Sequence, residues 1–523
     1  MDDQILNPEY PQSTTPSAPR QVGPRATERR DYLLAALLLA ACFLLSDSLL
    51  WSGGIGLGSA LGLGLLLPVV AVYLRHTGKP RTVYGLFCGL LYLAAAASLA
   101  LSGDIILKLL TLPVMHLLLI LFILERTALR TGTGLRARLH DFFSAAFVIS
   151  FGRLPQGCRA LLRGSRDPQR RKHINGVLLG LFFAVPVLFL LVPLLISSDA
   201  AFEGLVNSMN WEAVGRGAWA ILCGGIMTLL LFTLLFTSDR PRPGLGGGGF
   251  AGIAPATVAA FLGAIAFAYA LYLAAQFAYF TSAFRGLLPK NFTLAEYARR
   301  GFFEMCWIVA INLALVVLAT KLCRKPQGKL PGSVKGLALF LCGFSLVLVA
   351  TALSKMFLYM GSLGLTRLRV LTSVFMLWLA ALLVFTVVRL FVKRVPVLQL
   401  AVTTGAAVLL VLSLANVDGI VARYNIDAYR AGRLESLDMG TICCLGDGAV
   451  PAMAELLEDE DPKIARAAQA ELRERLKTHG LAEHAQTGLL QAADAPTDLR
   501  SWNLVEQAAR TALLQHRDEL LPG

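Results

Sequence analysis

Residues 105–124 read Ile105-Ile-Leu-Lys-Leu-Leu-Thr-Leu-Pro-Val-Met-His-Leu-Leu-Leu-Ile-Leu-Phe-Ile-Leu124, with one lysine, one histidine and no carboxylate. About twenty apolar residues in a helix cross a hydrocarbon core of roughly 30 Å. In lipid the backbone must satisfy its own hydrogen bonds, so the run is predicted to be a membrane-spanning α-helix. Asp104 stands just before it, four residues from Lys108, a spacing at which the two can pair. His116 lies two turns deeper and reads as hydrogen-bonded packing rather than a proton relay.

Ten further runs of this kind follow the same logic, at 32–50, 57–74, 83–101, 175–197, 216–237, 253–280, 303–322, 335–354, 371–392 and 398–415. They explain why the 523-residue chain is 56% hydrophobic and only 16% charged, against about 25% charged in a soluble protein. The alternating pattern of an outer-membrane barrel is absent. The expected fold class is therefore all-α: a polytopic membrane protein of about eleven spans, with a small helical soluble domain at the C-terminus.

The formal charge of +14 is unevenly spread: residues 1–415 hold 37 Lys/Arg and 16 Asp/Glu, residues 416–523 hold 11 and 18. Most of the excess base lies in short loops beside apolar runs, where it sets orientation and meets anionic lipid, so nucleic acid is not an expected partner. Basic loops at 75–81, 125–172, 239–249, 321–335 and 393–395, against the Lys/Arg-free stretch 198–215, put the N-terminus inside and the C-terminus outside. The expected organisation is a disordered tail at 1–30, four spans in 31–124, a basic interfacial segment at 125–174, two spans in 175–237, a Gly-rich linker at 238–252, five spans in 253–415, and a HEAT-like helical domain at 416–523. No cleavable leader is read, and the first span is expected to stay as a signal anchor.

The segment 125–174 interleaves eight arginines between Arg136 and Arg171 with Phe142, Phe143, Phe147 and Phe151, the pattern of helices lying on an anionic leaflet. Gly54, Gly58 and Gly62 recur every four residues, so one helix face can approach a neighbour closely. In the C-terminal region, Asp459–Pro462 interrupts two helical stretches, and the second carries Ile464, Ala467, Ala468 and Leu472 on one face. A single such unit needs another surface, from within the chain or from a protein partner, to bury that face. The nine cysteines show no metal-ligand spacing. The vicinal pair Cys443-Cys444 reads as packed helix residues, with redox chemistry as the other reading.

Three polar stretches flank the later spans: Ala295-Glu-Tyr-Ala-Arg-Arg-Gly-Phe-Phe-Glu304; Lys355 to Arg369, ending Leu-Gly-Leu-Thr-Arg-Leu-Arg; and Asn416-Val-Asp-Gly-Ile-Val-Ala-Arg-Tyr-Asn425. Together they resemble a family of bacterial multi-pass membrane proteins known only as a domain of unknown function. That resemblance implies membership and a bacterial cytoplasmic membrane, but no reaction. In the eleven-span topology all three stretches face outside, where arginine is not called for. Tyr297, Arg299, Arg300, Lys355, Tyr359, Arg367, Arg369, Arg423 and Tyr424 can then form a basic, aromatic-lined outer face for an anion, since guanidinium binds phosphate bidentately. Equally, these arginines can pair with Glu296, Glu304, Asp418 and Asp427 and dock the tail. Glu296 also has a local explanation, a capping box with Thr293.

The function read from this pattern is an envelope-associated binding, scaffolding or regulatory protein. A transporter or lipid flippase built on the Gly-rich span and on Asp104, Lys108 and His116 is the alternative. A membrane-embedded, envelope-modifying enzyme is a third reading, although no metalloprotease, nucleophile-turn or phosphate-loop signature appears. No catalytic residue, cofactor or metal ligand is assigned.

Overall fold

The computed structural model describes residues 27–51, 55–75, 82–127, 129, 135–162, 210–238, 252–284, 302–392, 395–479, 481 and 499–521. Among them, ten helices are long and apolar enough to cross a membrane. They are α1 (Arg29–Trp51), α2 (Leu57–Arg75), α3 (Val83–Leu101), α4 (Ile105–Leu124), α5 (Trp211–Phe236), α6 (Pro255–Phe284), α7 (Phe302–Leu322), α8 (Gly332–Leu363), α9 (Arg367–Phe391) and α10 (Val397–Leu414). The span expected at 175–197 and the Gly-rich run of the linker lie outside the described residues. No strand occurs among those described; one isolated bridge pairs Ile253 with Cys323. The protein is an all-α, multi-pass membrane protein. Large apolar side chains such as Leu90, Phe267 and Trp307 stand exposed along the helices, as they do when lipid rather than water is the solvent.

The helices form two bundles. Helices α1–α5 share a core that includes Leu38, Val70, Tyr92, Met115, Leu118 and Phe232. Helices α6–α9 share another around Leu262, Val309, Leu341, Leu348 and Met376. The last helix joins them: α10 packs on α3, α4 and α9, places Ala406 in the first core, and accepts at Thr404 Oγ1 the Trp378 indole N–H at 3.1 Å. Small residues allow the closest approach. A Cβ at Gly62 would stand 2.8 Å from the Leu45 backbone nitrogen, so this one of the three spaced glycines seats α2 on α1. The second, Gly58, also lies against α1, where a Cβ would stand 2.7 Å from Ser48 Oγ, and it meets Arg500 of the tail as well; Gly54 is outside the described residues.

Deep polar groups in the second bundle satisfy one another. Tyr269 donates to Asn312 Oδ1 at 2.8 Å, Asn312 Nδ2 donates to Ser345 Oγ at 3.0 Å, and Ser345 donates to the Leu341 carbonyl at 2.8 Å.

The two ends of the bundle differ. One end carries the start of α1, the turn around Cys323, and the basic segment. Within that segment Leu135–Phe143 and Leu154–Leu162 are helical, with a π turn at Ser144–Ile149 between them. Arg153 ties it to the end of α5 by donating to the Thr237 carbonyl at 3.0 Å, and Phe143, Phe147 and Phe151 stand exposed. The other end carries the α3–α4 and α8–α9 turns and the C-terminal tail. Helix α8 is longer than the expected span. Its 32 residues rise about 48 Å, so its last turns reach past the hydrocarbon toward the tail.

The tail contains α11 (Val417–Arg430), α12 (Pro462–Thr478) and α13 (Leu504–Gln515), with short turns of helix between. Asp461 caps α12 by accepting the Lys463 amide at 2.9 Å, and Pro462 fills the first helical position. Ile464, Ala468, Leu472 and Leu476 are buried; Ala467, expected beside them, is only half-buried. The partner surface that this face needs comes from within the chain. The tail core takes in Leu107 of α4 and rests on Leu365, Val370, Leu371, Leu409 and Leu412.

Candidate functional site at the joint between bundle and tail

Two of the polar stretches interlock at the tail end. Asn416 adopts a left-handed conformation, φ 47°, which asparagine tolerates because its short side chain bonds locally. Its Oδ1 accepts the Gly419 amide at 3.3 Å and its Nδ2 donates to the Gly448 carbonyl at 3.2 Å. Helix α11 thereby starts against the Gly446–Gly448 turn and turns Asp418 and Asn425 inward.

Asn425 reads the α8–α9 turn through its backbone. The Leu365 amide donates to Asn425 Oδ1 at 2.7 Å, and Asn425 Nδ2 donates to the Leu365 carbonyl at 2.8 Å. The fit requires glycine at 364: its φ is 74°, and a Cβ there would stand 2.6 Å from Asn425 Oδ1. Thr366 caps α9 by accepting the Arg369 amide at 3.4 Å. Arg369 folds back to donate to the carbonyls of Leu363 and Gly364, and its guanidinium lies 3.9 Å from the centre of the Tyr359 ring.

Arg367 is the centre of the joint. It forms ion pairs with Asp104 at the start of α4 and with Asp418 of α11, the latter at 3.7 Å. Side-chain exposure is 25% for Arg367, 10% for Asp104 and 6% for Asp418. Asp104 also caps α4, accepting the amides of Ile106 at 2.8 Å and Leu107 at 3.1 Å. Asp418 Oδ2 accepts the Gly446 amide at 3.0 Å. Burial pushes the Asp418 carboxyl up from its ordinary value, and Arg367 and the Gly446 amide pull it back. The expected pairing of Asp104 with Lys108 does not occur: Lys108 donates instead to the Ile55 carbonyl. His116 is exposed on α4 and makes no hydrogen bond among the described residues, unlike the packed histidine expected there.

The network continues into the tail. Arg475 pairs with Glu471 at 2.8 Å and Asp447 at 3.8 Å, and donates to the carbonyls of Cys443 and Leu445. His479 lies 3.3 Å from Asp447 and 3.9 Å from Glu506. The hydrogen bond from His479 holds the Asp447 carboxyl below its usual range, against the opposing effect of burial. Cys443 is half-buried and Cys444 exposed, both free.

A second clamp closes on α2. The amides of Leu57 and Gly58 donate to the carbonyls of Trp502 and Arg500, both at 2.9 Å. These are orphan donors of a helix start, satisfied here by the tail backbone. The approach needs glycine at 56, where a Cβ would meet the Ser501 carbonyl oxygen at 2.3 Å. Arg500 also pairs with Asp47 at 3.1 Å, and Trp502 packs on the first bundle's core.

Of the other residues read as an outer face, Arg423 is exposed on α11 and pairs with Glu455 at 3.7 Å, while Tyr424 lies under Arg433 at 5.7 Å. Lys355 is half-buried in α8. Tyr297, Arg299 and Arg300, with the Thr293–Glu296 capping box, lie outside the described residues. Among those described, no group of three His, Cys, Asp or Glu side chains is placed to hold a metal. The sequence reading missed Asn425 as a backbone reader and the clamp at 500–503. A signal for the clamp was present: Asn503-Leu-Val-Glu506 is a capping box, with Glu506 N donating to Asn503 Oδ1 at 2.8 Å and Asn503 Nδ2 donating back to the carboxylate at 3.0 Å.

No curated protein and no solved structure matches the chain. Residues 86–456 match the family described as domain of unknown function DUF4153. The match runs from α3 through the bundle into the tail and contains the whole interlock of Asp104, Arg367, Asp418 and Asn425; the chain belongs to the DUF4153 family.

Proposed function

We propose that this protein is a non-enzymatic membrane scaffold, which holds its helical tail as a fixed platform on the outer face for a protein partner. The observation that supports this most directly is the Arg367 joint. One half-buried cation ties α4, α9 and α11 together, and the tail core continues into the ends of α4, α9 and α10. A transport path would use the polar groups of α4 along the membrane. Instead Asp104 serves as cap and ion-pair partner, and Lys108 serves a backbone carbonyl, both beside the tail. The outer placement rests on the distribution of basic loops.

The test has two parts. In intact cells, a membrane-impermeant maleimide should label Cys444, which is exposed, and should lose that label in Cys444→Ser. Labelling only after permeabilisation would remove the outer-face reading. Photo-crosslinking amino acids at exposed tail positions 466 and 474 should trap one protein species that positions on the lipid face of α3 do not trap. The same species at both places, or none at 466 and 474, would remove the platform reading.

A further inference from the structure

At the end of the bundle away from the tail, α7, α9, α10 and the turn between α7 and α8 enclose a cavity of about 900 Å³, near the upper end of the roughly 300–1,000 Å³ of typical ligand sites. Its rim carries six cations, Arg138, Lys321, Lys325, Lys329, Lys335 and Arg389, and among the described residues no acidic one lines it. Lys335 stands 3.8 Å over the Phe391 ring, and Arg389 donates to the Val395 carbonyl. Lys321, Lys325 and Lys329 make no ion pair among the described residues, while Arg138, Lys325 and Arg389 all lie within electrostatic reach of Lys321. Like charges gathered round one opening repel, and a bound anion relieves that repulsion.

The walls are of the opposite character. Leu313 and Val317 of α7, Leu382 and Leu390 of α9, and Leu398 and Ala401 of α10 line the interior. Leu313 is eight residues from Lys321, so the apolar wall runs about 12 Å along the helix from the basic rim into the depth of the hydrocarbon. A soluble phosphate has no use for such a wall; a molecule with an anionic head and a hydrocarbon chain matches both parts.

We propose that this cavity is a binding site for an anionic phospholipid of the adjoining leaflet, its phosphate among Lys321, Lys325 and Lys329 and an acyl chain against Leu313 and Leu382. The site is separate from the tail joint, and its test does not depend on the scaffold reading.

The full chain in detergent micelles is titrated with dioleoylphosphatidylglycerol, with dioleoylphosphatidylcholine and with inorganic phosphate, and bound species are counted by native mass spectrometry. Phosphatidylglycerol is expected to bind well ahead of phosphatidylcholine, without displacement by phosphate. The triple variant K321Q/K325Q/K329Q should weaken it about five-fold per removed charge, roughly a hundred-fold in all. The charge-keeping variant K321R/K325R/K329R should bind as the unmodified protein does, and Leu313→Trp should weaken the lipid by filling the wall. Equal binding of the two lipids by the unmodified protein, which needs no variant to fold, would overturn the site. So would phosphatidylglycerol binding unchanged in the glutamine triple variant, or displacement of the lipid by phosphate alone, which would make it a site for a soluble anion.

Discussion

Replacing Arg367 by glutamine removes one cation from between two buried carboxylates. At 3.7 Å from Asp418, a unit charge pair in a medium of effective dielectric constant 20 is worth about 4 kcal/mol. Breaking buried pairs typically costs about 3–5 kcal/mol, because the partner is left uncompensated. Asp104 keeps the amides of Ile106 and Leu107, so most of the loss falls on Asp418. An opening equilibrium shifted by that energy changes between about a hundred-fold and a few thousand-fold. Amide exchange in detergent reads it directly. The Gly446 amide, held by Asp418, and the Leu365 amide, held by Asn425, should lose protection by that factor. Amides within α1 and α2 around Leu45 and Gly62 should not change.

The pH dependence carries a sign that tests the cause. Burial already raises the Asp418 carboxyl, and Arg367 opposes the rise, so the variant raises it further. A carboxyl whose folded-state value is raised binds its proton more tightly folded than unfolded. The defect must therefore grow as pH rises through that value and shrink in acid. Adding Asp418→Asn should restore part of the protection at neutral pH. Unchanged protection at Gly446 and Leu365 would refute the reasoning, as would a uniform loss across the whole bundle or a defect that worsens in acid.

Asn425→Ala leaves the Leu365 amide and carbonyl unpaired and should lower the stability of the detergent-solubilised protein by about 2–4 kcal/mol in thermal unfolding. Gly62→Ala should destabilise, because its Cβ would sit 2.8 Å from Leu45 nitrogen, whereas Gly64→Ala meets Ala96 Cβ at 3.9 Å and should be tolerated within about 0.5 kcal/mol. The Asp447 carboxyl is held low, so its stabilisation is present above the ordinary carboxylate range and lost as pH falls through its folded value; Asp447→Asn should flatten that acid limb in a pH series of tail unfolding.

The spans were legible because lipid imposes one requirement on every residue of a run, its length and its polarity. The seven expected spans from 32–50 to 303–322 that are described match helices to within a few residues at most ends. Helix α8 departed because its extra turns run past the hydrocarbon to the α8–α9 turn, where Tyr359 lies under Arg369. The joint was only half legible. The sequence marks Arg367, Asp418 and Asn425 as polar residues at helix ends, but pairing depends on distance across 60 residues of chain between Leu365 and Asn425. Asp104 and Lys108, four apart, satisfied a local rule that the tertiary structure overrides: each finds a partner on another element. The clamp at Arg500 and Trp502 uses backbone carbonyls, which carry no signature in side-chain identity; only the neighbouring Asn503–Glu506 cap marked its place.

The start of α2 is completed by carbonyls that the ribosome delivers some 440 residues later. At roughly 5–20 residues per second, about 20–90 s separate the two events. During that interval the amides of Leu57 and Gly58 must be served by water at the membrane surface, and the first bundle is left with an open seam where Trp502 will sit. Residues made much later thus act as the closing stitch on the α1–α2 hairpin. A chain truncated before Arg500 would insert α1 to α10 and still present an unfinished helix start to quality-control proteases.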